Sequence, residues 1–168
     1  GSMFFLGEII VNEELVYDQP AKNRCGNCHR CIDACPTKAI DEGREINAEK
    51  CLSYQTIENR ESLSEEASAL IGNTIYGCDA CLKACPWNKF AIPNDTPELQ
   101  PKAELMQMTR QEWEILSEED YQKLFKGSAV KRVKYKGLMR NIKAAACYSQ
   151  GKHLPLSTKT KDNEQKNK

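Results

Sequence analysis

Nine cysteines stand out in this 168-residue sequence, and eight of them form one array. The first run is Cys25-Gly26-Asn27-Cys28-His29-Arg30-Cys31-Ile32-Asp33-Ala34-Cys35-Pro36, a C-x2-C-x2-C-x3-C-P pattern. The second is Cys78-Asp79-Ala80-Cys81-Leu82-Lys83-Ala84-Cys85-Pro86, the same pattern with Ile75 where its first cysteine would stand. Cys51 lies alone between them. Thiolates at this spacing wind the backbone around one face of an iron–sulfur cube, and two four-iron clusters need eight of them. The array supplies eight, so the chemistry it points to is one-electron transfer.

In bacterial ferredoxins with two clusters, the fourth cysteine of each run ligates the opposite cluster. That pattern predicts one cluster held by Cys25, Cys28, Cys31 and Cys85. It predicts a second held by Cys35, Cys78 and Cys81, with Cys51 filling the vacancy at Ile75. Two other readings of the cysteines stand beside this one. Zinc prefers two C-x2-C pairs, and the C-x3-C-P endings fit clusters better. A disulfide scaffold fits poorly, because no signal peptide precedes the runs and their spacing is that of cluster ligands. Cys147 reads as a buried small side chain, and His29 as a surface or cluster-shielding residue rather than a proton carrier. Trp87 and Tyr76 flank the second run and are expected to keep water from its cluster.

The elements that must position these ligands are short. Phe4–Val11 is apolar and β-prone, and reads as a strand or a docking segment. Tyr17-Asp18-Gln19-Pro20 is a turn. Pro36 and Pro86 each stop the helical turns begun inside a cysteine run. Ala39 to Ile46 reads as a small hairpin with Gly43 supplying positive φ. Asn47 is expected to cap a helix running through Cys51 to about Asn59, and Ser64 another ending at Gly72. Residues 92–101 carry Pro93, Pro97 and Pro101 and read as a surface linker. Thr109 with Glu112 fits a capping box, Ser117 opens a helix to Gly127, and Ser128 is expected to cap one long helix to about Gln150 with Gly151 as its C′ residue. The tail beyond Pro155 has almost no apolar residue and is expected to be disordered.

The fold class expected is therefore α+β but mostly helical: a core resembling two-[4Fe-4S] ferredoxins, with a small hairpin, followed by a helical C-terminal region. In numbers, residues 1–3 read as a tag scar, 4–22 as an N-terminal segment, 23–90 as the cluster domain, 91–151 as the helical region and 152–168 as the tail. Hydrophobic residues are 40% and aromatics 7% of the chain, a lean core that bound metal would help to stabilise. No apolar run approaches the length needed to span a bilayer, so no membrane partner and a cytoplasmic location are expected. The net charge is zero but uneven. Between Glu112 and Asp120 stand acids alone, and from Tyr121 to Gly151 bases alone.

Several strings outside the cysteines resemble one family, the epoxyqueuosine reductases. They are Phe4-Phe5-Leu6-Gly7-Glu8-Ile9, Tyr17-Asp18-Gln19-Pro20, Arg24-Cys25-Gly26-Asn27-Cys28 and Ile32-Asp33-Ala34-Cys35-Pro36-Thr37. Cys51-Leu52-Ser53-Tyr54-Gln55-Thr56-Ile57-Glu58 and Ile71-Gly72-Asn73-Thr74-Ile75-Tyr76-Gly77-Cys78-Asp79-Ala80-Cys81 are the most specific. Cys85-Pro86-Trp87-Asn88-Lys89-Phe90 and Gly127-Ser128-Ala129 complete the set. The resemblance implies that electrons pass from the two clusters to a cobalamin, which reduces epoxyqueuosine to queuosine at the wobble position of a tRNA anticodon. It places the cobalamin and the general acid in an N-terminal domain that precedes these residues, so no catalytic residue is expected in this stretch. A separate electron donor is implied, and a monomer is expected. Lys131, Arg132, Lys134, Lys136, Arg140 and Lys143 then become candidates for contacts with tRNA phosphates. The alternatives are a stand-alone ferredoxin-type electron carrier and a zinc-stabilised RNA-binding module.

Overall fold

The computed structural model describes residues 3–149. Over that range the chain is mostly helical, and its helices are short. The first, α1 (Arg30–Asp33), lies within the first cysteine run. Next come α2 (Leu52–Ile57), α3 (Glu65–Leu70) and α4 (Ala80–Ala84), the last inside the second run. A 3-10 turn over Pro86–Phe90 follows, where Pro86 holds the first position. The C-terminal region is α5 (Ala103–Gln107), α6 (Arg110–Glu114), α7 (Glu118–Leu124), a 3-10 turn over Ala129–Val133 and α8 (Lys134–Ser149).

The caps follow from side chains that satisfy the free amides at helix starts. The Ser64 hydroxyl accepts from the Ala67 amide at 3.1 Å. Thr109 and Glu112 form the full capping box at α6. Ser117 accepts from the Asp120 amide at 3.0 Å to open α7.

Four expectations change. The hairpin is a single antiparallel bridge between Ile40 and Ile46, and no strand forms among the described residues, so the α+β class reduces to a helical one. Asp41 draws the backbone into a turn instead: its carboxylate accepts from the Glu45 amide at 2.8 Å, and Arg44, not Gly43, takes positive φ. Phe4–Val11 adopts no regular structure, with Phe5 97% and Leu6 99% exposed, because a strand needs a hydrogen-bonding neighbour and has none here. Asn47 caps only a turn, accepting from the Lys50 amide at 3.2 Å, and Cys51 itself becomes the N-cap of α2. Finally, the long helix from Ser128 is broken at Lys134, whose φ of 61° and ψ of 161° turn the chain between the 3-10 segment and α8. The break seats Val133 over Gly137, where a Cβ would lie 2.9 Å from the Val133 methyl. The expected helix end at Gln150, Gly151 and the tail lie outside the described residues.

Two apolar clusters hold the chain together. One joins Leu116, Tyr121, Phe125, Val133, Leu138 and Ile142, with Ile75 and Tyr76 packed on it. The other joins Leu52 of α2, Ala67 of α3 with Ile71 just after it, and Ala144 of α8. Both cross the boundary expected at residue 90. Helix α8 is therefore built into the cysteine-bearing half.

Candidate metal centre

Helix α1 packs against α4, which brings the two cysteine runs face to face. Each run is shaped by left-handed backbone: Gly26 at φ +52° inside the first, and Asp79 at φ 61° just before α4 in the second. The Cys28 amide donates to the Cys25 carbonyl at 3.1 Å, closing the first loop. Arg44 reaches across from the turn after the run and donates to the Gly26 carbonyl at 2.5 Å. The indole of Trp87 donates to the Arg24 carbonyl at 3.1 Å, so the residues beside Cys85 and Cys25 are tied together.

Cys35 is buried, and its sulfur accepts from the Ala39 amide at 3.2 Å and lies 3.8 Å from the Thr37 hydroxyl. Burial raises its thiol, but those hydrogen bonds outweigh it and hold the thiol below its ordinary value. Cys81 goes the other way. Burial pushes its thiol up, helped by the neighbouring charges of Cys78 and Cys35.

All nine cysteines are free thiols. Among the described residues no three His, Cys, Asp or Glu side chains converge closely enough to hold a single metal ion. Two facing runs of soft thiolate donors, with backbone amides directed at one sulfur, suit an iron–sulfur cluster.

The other named residues fall into place less evenly. Cys147 is half-buried on α8. His29 is exposed and pairs with Glu42 at 3.2 Å. Tyr76 packs on the helical core and donates to the Ala129 carbonyl at 3.0 Å. The six basic candidates split. Arg140 is half-buried and donates to the carbonyls of Gln55 at 2.9 Å and Asn59 at 2.8 Å, and to that of Glu61. Arg132 pairs with Glu58, and Lys131 sits 5.2 Å from the centre of the Tyr121 ring. Lys134, Lys136 and Lys143 are exposed.

Asn141 joins the site from outside the residues that the sequence singles out. It is fully buried on α8, and its amide donates to the carbonyls of Thr56 at 2.7 Å and Ile75 at 2.9 Å. The available signal was a polar residue beside the apolar stripe of Leu138, Ile142 and Ala145.

The site and fold define the class first. A family model for 4Fe-4S double cluster binding domains matches residues 24–88. The epoxyqueuosine reductase of Cellulophaga algicola is 42% identical over 142 residues, covering 84% of this chain and 46% of that protein. The solved epoxyqueuosine reductase of Streptococcus thermophilus superposes with a TM-score of 0.71 at 31% identity, over 82% of this chain and 36% of that one. Another, solved with an epoxyqueuosine-modified tRNA-Tyr stem loop, superposes with a TM-score of 0.65 at 29% identity, over 78% of this chain and 35% of that one. The chain is thus similar in sequence and in fold to epoxyqueuosine reductases, and it spans about half the length or less of the relatives it matches. No helix among the described residues is long and apolar enough to cross a membrane.

Proposed function

We propose that this chain is the electron-delivering iron–sulfur part of an epoxyqueuosine reductase, an oxidoreductase that reduces epoxyqueuosine to queuosine in tRNA. What carries the reading is the coincidence of a double-cluster domain over residues 24–88 with similarity to that enzyme over 142 residues. Bound four-iron clusters would supply one-electron steps. Cys25, Cys28, Cys31 and Cys85 would hold one cluster, and Cys35, Cys51, Cys78 and Cys81 the other. The Trp87–Arg24 tie supports the first set, and the bond from the Gly77 amide to the Thr56 hydroxyl, which joins the Cys51 helix to the Cys78 loop, supports the second. Trp87 covers the join and limits water. The remaining partners follow from the resemblance: a cobalamin and the proton donor in the part of the relatives that this chain does not span, and a separate electron donor. A cytoplasmic location belongs to the same reading, because cluster thiolates persist in a reducing compartment.

Of the six basic candidates, the exposed Lys134, Lys136 and Lys143 are the ones that would meet tRNA phosphates. A relative solved with an epoxyqueuosine-modified tRNA stem loop supports tRNA as the partner.

Anaerobic reconstitution with iron and sulfide tests the reading. The expected result is about eight irons per chain and a broad visible absorbance. Tight, stoichiometric zinc in protein purified without oxygen would overturn it in favour of a zinc-stabilised module.

A further inference from the structure

Cys51 is the ligand that lies outside both runs, so something other than run geometry must hold it in place. It sits at the N-cap of α2, a six-residue helix that brings little stability of its own. Cys78, a partner in the same set, follows Gly77, which takes φ +74°. Two separate pieces of backbone must meet at a fixed distance.

Thr56 and Asn141 join them. Thr56 is completely buried on α2, and its hydroxyl donates to the Leu52 carbonyl at 2.9 Å, one turn back beside Cys51. The same oxygen accepts from the Gly77 amide at 3.1 Å, directly before Cys78. Asn141, equally buried, donates one proton to the Thr56 carbonyl and the other to the Ile75 carbonyl. Its own oxygen accepts from the Arg140 guanidinium at 3.0 Å and 3.1 Å, which fixes which end of the amide faces the carbonyls. Arg140 in turn donates to the Gln55 carbonyl, beside Thr56. Every polar atom is spoken for, and in a buried site that makes the arrangement hard to move.

We infer that Asn141 is a positioning residue for the second cluster: with Thr56 it latches the Cys51 helix to the Cys78 loop from outside the cysteine array. Ile75 stands where the second run lacks its first cysteine, and at that position its carbonyl accepts from Asn141. A cysteine bonded to iron anchors its own loop. Here the anchor has passed to an amide on α8, sixty-odd residues downstream. The C-terminal helix thereby becomes part of the cluster site without touching it. This inference rests on the cluster reading above.

The test is anaerobic reconstitution of the whole chain and of Asn141→Leu, which keeps the size and removes both donors. Iron per chain and redox titration followed by low-temperature magnetic resonance are read together. Wild type is expected to take up about eight irons and Asn141→Leu about four, a twofold loss, with the surviving signal matching that of Cys51→Ala. Wild type taking up fewer than eight would sink the cluster reading itself. Eight irons and unchanged potentials in Asn141→Leu would sink the latch alone. Should Asn141→Leu lose its helical circular dichroism, Thr56→Val decides: one shifted potential and one unchanged supports the latch, and two unchanged potentials overturn it.

Discussion

The Trp87 indole donates to the Arg24 carbonyl at 3.1 Å, fastening the residue two after Cys85 to the residue before Cys25. The Arg24 guanidinium lies 6.0 Å from the centre of the same ring. One side chain thus closes the seam between two runs that are far apart in sequence. Trp87→Phe keeps a ring and loses the donor. It is expected to cost about 1 kcal/mol in denaturant unfolding of the reconstituted protein. It should also speed the loss of visible absorbance in air, measured against wild type under the same oxygen.

Cys51→Ala should halve the iron content, from about eight to about four per chain, and leave the signal of the Cys25 cluster intact. Cys147→Ala, on the half-buried face of α8, should keep all of it. Full iron in Cys51→Ala, or a loss in Cys147→Ala, would redraw the ligand set.

The basic residues of the C-terminal region divide into two kinds, and substitution separates them. Replacing Lys134, Lys136 and Lys143 together with alanine should weaken binding of an anticodon stem loop and flatten its salt dependence by about 2 in log–log slope. Stability should hardly change, since all three are exposed. Arg140→Ala should instead destabilise the fold by about 3 kcal/mol, because buried carbonyls lose a charged donor. Thermal unfolding of the two variants side by side tells them apart.

Glu58 predicts an acid response. The Arg132 guanidinium, hydrogen-bonded to it, holds its carboxyl below the ordinary value of 4.5, with Arg60 adding to the effect. A lowered carboxylate contributes stability above its unfolded pKa and loses it as pH falls through the folded value. The stability gap between wild type and Glu58→Gln should be full above about pH 4.5 and close below it. Denaturant midpoints across that range read the gap, and added salt should narrow it.

The sequence by itself determined the chemistry and most of the local grammar. Cysteine spacing is a local property, so the donors and their number could be read directly, as could the caps at Ser64, Thr109 and Ser117. Chemistry set by the nearest few residues survives folding unchanged. What the tertiary structure decided lies between distant residues. Cys51 could be counted as the eighth thiolate, but not seen as the N-cap of α2, because Asn47 competed for that position and lost to its own turn. The hairpin shrank to one bridge because the Asp41 carboxylate took the Glu45 amide. In the sequence Arg140 is one base among several, and only the packed chain shows it bonded to the carbonyls of Gln55 and Asn59. Asn141 carried almost no signal, since its partners Thr56 and Ile75 lie 85 and 66 residues away. Buried polar groups must find partners, and only the packed chain says which partners come within reach. The array supplies the eight thiolates, and the packing of α8 against α2 ties the Cys51 helix to the Cys78 loop.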